Sequence, residues 1–186
     1  MKKRTLAIIA SLAVVLIGLA AGIYAFNNSS TTTTSTTTKS PTPRLVKARE
    51  VFTLSDAQTL LGDNVTAGDS TDPTTTESIS VDSASYDNNA TTVADIRIIT
   101  VMVRTALDND GKESNADAFK AGGAANPSGA EAVSGYGEKA FWDPSIHQLA
   151  ILKDNLWIGI IYGGTNPANN TLEDAKKVAD LVITHI

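Results

Sequence analysis

Four aromatic residues, Tyr136, Phe141, Trp142 and Trp157, are the side chains of this 186-residue chain best suited to gripping a ligand. Aromatic rings at the edge of a groove stack on sugars or anchor protein partners. Trp157 falls within an alternating pattern, which predicts a strand and a core position. Trp142 is followed by Pro144 in a predicted loop, so we expect Trp142 and Tyr136 at a ligand or partner surface. The alternative is that these rings plug one face of a sheet.

Catalytic patterns are missing from the sequence. The two histidines, His147 and His185, belong to no His-Glu-x-x-His motif, and no Gly-x-Ser-x-Gly motif is present. The run Gly135-x-Gly137-x-x-Ala140 imitates a dinucleotide-binding loop, but Phe-Trp-Asp-Pro follows it and cannot open the helix that binds pyrophosphate. No pair of acids is singled out for glycosidase chemistry. We therefore predict a protein that is not an enzyme and binds no cofactor.

Metal-binding patterns are equally weak. Asp108-x-Asp110-Gly111 resembles the start of a calcium loop, but position 12 of that loop is Phe119, where a bidentate Glu is required. The chain has no cysteine, which excludes disulfides, thiolate metal sites and a lipid-modified cysteine anchor. We predict no metal site. A capped turn is the simpler interpretation of the Asp-rich run, and a weak calcium site is the alternative.

The charges divide the chain into two parts. Residues 1–49 hold seven Lys/Arg and no Asp/Glu, whereas residues 50–186 hold eight Lys/Arg against 20 Asp/Glu. Phosphate contacts need clustered Lys/Arg, so the acidic part is not expected to bind nucleic acid. Such asymmetry indicates that the two parts occupy different environments.

The basic part contains a predicted membrane anchor. Three basic residues at 2–4 precede an uncharged apolar run over residues 6–26, which would span about 31 Å as a helix, close to the thickness of a bilayer core. Positive charge stays on the cytoplasmic side. We predict a cytoplasmic tail at residues 1–5 and a single-pass signal-anchor at 6–26, with a cleaved signal peptide as the alternative.

A tether is predicted between the anchor and the acidic domain. Residues 29–38 are ten consecutive Ser/Thr, and Pro41 and Pro43 follow. Such low complexity cannot bury a core. Residues 27–49 therefore predict a Ser/Thr/Pro-rich linker that holds the domain outside the cytoplasm, at the cell membrane. Glycosylation of the Ser/Thr run is left open.

The acidic part, residues 50–186, predicts an α+β domain with an antiparallel sheet and packed helices. Asp154-Asn155 between two apolar runs is typical of a hairpin turn. Helix starts are marked by capping residues and strands by Val/Ile-rich runs. The predicted elements are a helix with a capping box at Ser55 and Gln58 that ends at Gly62, strands at 79–86 and 93–103, a helix from Ser114 to Gly122, the hairpin at 149–153 and 156–162, and a helix capped by Thr171.

Two stretches resemble a known class of proteins. Residues 133–142, Val-Ser-Gly-Tyr-Gly-Glu-Lys-Ala-Phe-Trp, and residues 52–62, Phe-Thr-Leu-Ser-Asp-Ala-Gln-Thr-Leu-Leu-Gly, are similar to uncharacterised secreted or lipid-anchored actinobacterial envelope proteins of the mycobacterial type. That class has PsbP-like α+β domains, and the resemblance covers residues 50–186. It implies an envelope location and a fold but no reaction. This chain departs from the class because it lacks the cysteines that many members carry.

These observations predict a membrane-tethered, extracytoplasmic binding or interaction domain of unknown ligand. Its partners are expected to be the membrane, through the N-terminal helix, and an envelope protein or glycan. One alternative is a cell-envelope hydrolase or an accessory domain to one, which needs a deep cleft with convergent polar groups. The other is a carrier of small apolar ligands, which needs an apolar cavity between sheet and helix.

Overall fold

The computed structural model describes residues 43–68, 72–123 and 129–186. The chain divides into two units, Met1–Ser40 and Pro41–Ile186, and the described residues belong to the second. The predicted anchor at residues 6–26 and the Ser/Thr run at 29–38 lie outside the described residues. Within the described ranges, no helix combines the length and the apolar character that crossing a membrane requires.

The described residues form an α+β fold with an antiparallel sheet and packed helices, as predicted, and the sheet has eight strands. The strands follow in the spatial order β1-β3-β4-β8-β7-β6-β5, and β2 also pairs with β3. Their bounds are β1 Thr66–Ala67, β2 Thr74–Thr75, β3 Ile79–Asp87, β4 Arg97–Ala106, β5 Glu131–Val133, β6 Lys139–Asp143, β7 Gln148–Lys153 and β8 Leu156–Gly164.

Helices pack on both faces of the sheet. One face carries α1 (Ala48–Val51), α2 (Leu54–Leu61) and α4 (Leu172–Thr184), and their apolar residues share a core with Ile158 and Ile160 of β8. The other face carries α3 (Asn109–Gly122), whose Phe119 packs against Phe141 and Trp157. Because β8 is buried on both faces, its sequence is nearly all apolar rather than alternating.

Two predicted helix starts are wrong by a few residues. The cap of α2 is Thr53, not Ser55: Thr53 Oγ1 accepts the Asp56 N–H at 3.2 Å, and Asp56 Oδ2 accepts the Thr53 N–H at 2.8 Å. An Asp three residues after the cap thus closes the same box as a Glu or Gln would. Likewise α3 starts at Asn109 rather than after Ser114, because Asp108 Oδ1 accepts the Gly111 N–H at 2.8 Å.

Other predictions are confirmed, one of them with shifted ends. The hairpin of β7 and β8 turns at Asp154, whose φ of 54° is the left-handed conformation such turns need. Thr171 caps α4 by accepting the Asp174 N–H at 3.2 Å. Strand β4 begins at Arg97 rather than at residue 93, because a 3₁₀ turn occupies Val93–Asp95.

The segment that leads into the domain, residues 43–52, is packed rather than free. Ala48 and Phe52 are fully buried. The Ala48 N–H donates to Asp82 Oδ2 of β3 at 2.7 Å. The boundary predicted at residue 50 therefore falls inside a packed segment, which we call the leading segment below.

Candidate functional site

Trp142, one of the two predicted site residues, lies in a strand and not in a loop. It belongs to β6, pairs with Leu149, and is only 6% exposed. Its ring meets the His147 ring edge-on, with centroids 6.4 Å apart. The loop placement was wrong because β6 continues to Asp143, directly before Pro144. The indole of Trp142 is therefore part of the core that α4 covers.

Tyr136, the other predicted site residue, lies in the loop between β5 and β6. Its ring is half-buried against the same core as Trp142, and its hydroxyl donates to Asp180 Oδ1 of α4 at 2.9 Å. Burial, followed by that hydrogen bond, raises the pKa of Tyr136 from 10.0 to about 12. The structure thus places both predicted residues on one core, where their contacts are internal. Tyr136 fastens its loop to α4.

The raised pKa of Tyr136 has a consequence for stability at high pH. The folded state favours the protonated phenol, so this contribution is complete below pH 10 and is lost as the pH rises toward about 12. Between these values, the wild-type protein should lose free energy of unfolding more steeply than Tyr136→Phe. Urea denaturation at pH 9 and pH 11 measures the difference. Equal pH slopes for the two proteins would contradict the assignment, and Asp180→Asn tests the acceptor separately.

One concave feature of the described residues is an open groove of about 700 Å³, which we call the turn groove. It lies between the leading segment, the β7–β8 turn and the end of α4. Its lining consists of Pro43, Arg44, Val46, Glu50, Val51, Lys112, Glu138, Lys153, Asp154, Asn155, Leu156, His185 and Ile186. Its volume falls within the range of small-molecule pockets, about 300–1,000 Å³.

One wall of the turn groove is the β7–β8 turn, and hydrogen bonds hold it from two sides. The Asp154 N–H donates to Glu138 Oε1 at 2.9 Å. The Asn155 carbonyl accepts the Ala106 N–H at 2.8 Å, and Asn155 Nδ2 donates back to the Ala106 carbonyl at 3.2 Å. The turn is therefore tied to the end of β4 and to the loop that precedes β6.

The opposite wall is the leading segment, which hydrogen bonds hold from Val46 onward. The Val46 N–H donates to Thr105 Oγ1 at 3.4 Å, a weak contact, and the Ala48 N–H donates to Asp82 at 2.7 Å. At the end of α4, His185 Nδ1 lies 3.0 Å from the Val51 carbonyl oxygen. The β7–β8 turn and the leading segment from Val46 onward are thus positioned by the fold itself, so this part of the turn groove is preformed.

The charges around the turn groove are balanced. Arg44 pairs with Glu50 at 3.2 Å, and Lys153 pairs with Asp154 at 2.8 Å. The hydrogen bond from Lys153 lowers the pKa of Asp154. The ammonium of Lys112 forms no hydrogen bond or ion pair with a described residue. Exposed pairs of this kind contribute little to the stability of the fold.

A second polar cluster lies beneath α3. The guanidinium of Arg104 is 5.9 Å from the ring centre of Trp157 and donates to Ser114 Oγ at 2.7 Å. Burial lowers the pKa of Arg104. Asn115 Nδ2 donates to the carbonyls of Arg104 and Asn155, each at 3.2 Å. This cluster joins α3 to the sheet, and Trp157 is buried as predicted.

Sequence reasoning missed most of the turn groove. Its charged residues come from the leading segment, from α3, from the loop before β6 and from the β7–β8 turn, which are far apart in the chain. Only the Asp154-Asn155 turn gave a local signal. Lys112, whose charge helps to lower the pKa of Asp154, sits on a face of α3 that carries no periodic apolar signal. Nothing in the sequence distinguished it from other surface lysines.

Catalytic geometry is not found at either histidine in the described ranges. His185 contacts the Val51 carbonyl and lies 3.9 Å from Asp56, and His147 lies beside Trp142. Among the described residues, no three His, Asp or Glu side chains are grouped to hold a metal ion. No family model, curated protein or solved structure matches the chain.

Proposed function

We propose that this protein is a membrane-tethered, extracytoplasmic binding module without enzymatic activity, and that the turn groove is its binding surface. The observation that carries the proposal is the preformed groove, whose two walls are hydrogen-bonded to the rest of the fold. A site that is already ordered loses less conformational entropy when it binds a ligand.

The tethered location rests on the sequence. An apolar run of bilayer length at residues 6–26, a positive cluster before it and a Ser/Thr run after it favour a single-pass protein with its N-terminus in the cytoplasm. The resemblance to actinobacterial envelope proteins with PsbP-like domains supports the same location, and an antiparallel sheet with helices on both faces is compatible with it.

The two alternative functions have less support in the described residues. A hydrolase needs acid and base groups that converge on one point. In the turn groove, however, Arg44 and Lys153 are paired with acids along the rim. A carrier of apolar ligands needs a cavity between sheet and helix, where Val178, Val182, Ile158 and Ile160 are fully buried in one described core.

Photocrosslinking in cells that produce the full chain tests this function. A photoreactive phenylalanine analogue is placed at Lys112, in the groove, and in a matched protein at Lys120, which is exposed on the same helix outside the groove lining. We expect a discrete adduct in the membrane fraction from position 112 and none from position 120.

Two outcomes would contradict the proposed function. The first is an equal, diffuse pattern of adducts from both positions, because the groove would then bind no specific ligand. The second is the absence of any adduct at position 112 in protein that reaches the envelope. The chemical nature of an adduct, whether protein, glycan or lipid, bears on the ligand class that follows.

A further inference from the structure

We propose that the turn groove binds an extended peptide segment in which an aliphatic residue lies between charged residues of opposite sign. This inference rests on the proposed binding function and names its ligand class. It draws on the backbone of the leading segment, on the floor of the groove and on the charges around the rim.

The leading segment carries unpaired backbone groups at Arg44, which lines the groove, and at Leu45, which lies beside the lining. Residues 43–46 lie outside any helix or strand, ahead of α1. The backbone N–H and C=O groups of Arg44 and Leu45 form no hydrogen bond with any described residue. Proteins bind extended peptides through free backbone N–H and C=O groups, most often at a sheet edge, and this segment offers a shorter, irregular version of such a surface. A peptide satisfies both donors and acceptors, because it carries both along its length.

The floor and rim suit aliphatic side chains. Four aliphatic residues line the groove, Val46, Val51, Leu156 and Ile186. Val51 and Leu156 are buried, so the half-buried Val46 and Ile186 present most of the apolar surface. Leu45, next to the lining residue Val46, is 43% exposed and is one of the few large apolar side chains left on the described surface. Covering such surface contributes about 25 cal/mol for each Å² removed from water. The aliphatic residue of the peptide would rest on this floor.

The rim favours a ligand with charges of both signs. It carries three cationic side chains, Arg44, Lys112 and Lys153, and three anionic ones, Glu50, Glu138 and Asp154. This balance contrasts with residues 50–186 as a whole, where acids outnumber bases. A polyanion would be repelled by the three acids, and a polycation by the three bases. A peptide with an acid near Lys112 and a base near Glu138 complements both sets.

Peptide binding to the full chain tests this inference directly. The probes are two fluorescein-labelled peptides with capped ends, Glu-Val-Leu-Val-Lys and the reversed order Lys-Val-Leu-Val-Glu. Fluorescence anisotropy should give saturable binding for at least one order. Methylation of the central backbone nitrogens should weaken that binding by about tenfold, because it removes the strand-like hydrogen bonds. Replacing both charged residues of the peptide with Gln should also weaken it.

Reversing one charge in the protein tests whether the peptide binds in the groove. Lys112→Glu should weaken binding by about fivefold, whereas the matched variant Lys120→Glu should leave it unchanged. Both positions are exposed on α3, so neither change should disturb folding, and thermal melting verifies this.

Three results would overturn the inference: no saturable binding of either peptide at millimolar concentration, insensitivity to backbone methylation, or equal effects of the two lysine variants.

If crosslinking at position 112 yielded a glycan or lipid adduct, the binding function would stand and the peptide assignment would fail. If crosslinking gave no specific adduct while the peptides bound, the peptide site would stand and its role in the cell would fail.

Discussion

Replacing Trp142 with Ala should lower the free energy of unfolding by about 3–5 kcal/mol, the usual cost of deleting a large aromatic side chain from a core. Trp142 is 6% exposed and packs in the cluster that α4 covers, so its removal leaves a cavity rather than a bare surface. Urea denaturation at neutral pH measures the effect.

A control from the adjoining turn makes this test specific. Ile146 lies between β6 and β7 and is 42% exposed, so Ile146→Ala should change stability by no more than about 0.5 kcal/mol. If Trp142 were instead a surface anchor for a ligand, its removal would be nearly neutral for folding. A loss below about 1 kcal/mol would therefore contradict the core position and restore the surface role that the sequence predicted.

Phe52→Ala should have an effect of similar size, although Phe52 precedes most of the domain in the chain. The ring is fully buried and meets Tyr86 edge-on, with centroids 5.5 Å apart. We expect a loss of about 3–5 kcal/mol, from the removed ring and the cavity it leaves. A small domain has a total stability of about 5–15 kcal/mol, so much of the protein would be unfolded under mild denaturing conditions.

The same position offers a control that isolates the ring. The hydroxyl of Tyr86 donates to the backbone carbonyl of Phe52 at 2.6 Å, and that carbonyl remains in the variant. Leu54, two residues later, is 42% exposed, so Leu54→Ala should be nearly neutral. The urea midpoints of Phe52→Ala and Leu54→Ala are compared. Equal midpoints would mean that the leading segment does not contribute to the core.

Local signals in the sequence were sufficient where one short segment determines its own structure. The Asp154-Asn155 turn, the cap at Thr171 and the glycine at residue 62 each depend on a few neighbouring residues, and the structure confirms them. The Ser55 cap was wrong for a related reason. Thr53 and Ser55 are both residue types that cap helices, and they lie close together. Thr53 is the cap because it exchanges hydrogen bonds with Asp56, three residues later.

Burial on both faces of the sheet hid other features. In β6, Ala140, Phe141 and Trp142 are all buried, because α4 covers one face and Phe119 packs on the other. A strand that is buried on both faces shows no alternation of apolar and polar residues. Residues 140–143 therefore resembled a loop before Pro144. The turn groove was hidden more completely, since it joins segments that only the tertiary fold brings together.

The packing of the leading segment also has a mechanical consequence. A pull on the chain ahead of Pro43 would act first on the weak contact between Val46 and Thr105. It would then act on residues held by Asp82, by the Tyr86 hydroxyl and by His185. Extracting this segment would require those contacts to break and the Phe52 ring to leave the core. The domain should therefore resist tension from its N-terminal side, and its first rupture event would coincide with the opening of the turn groove.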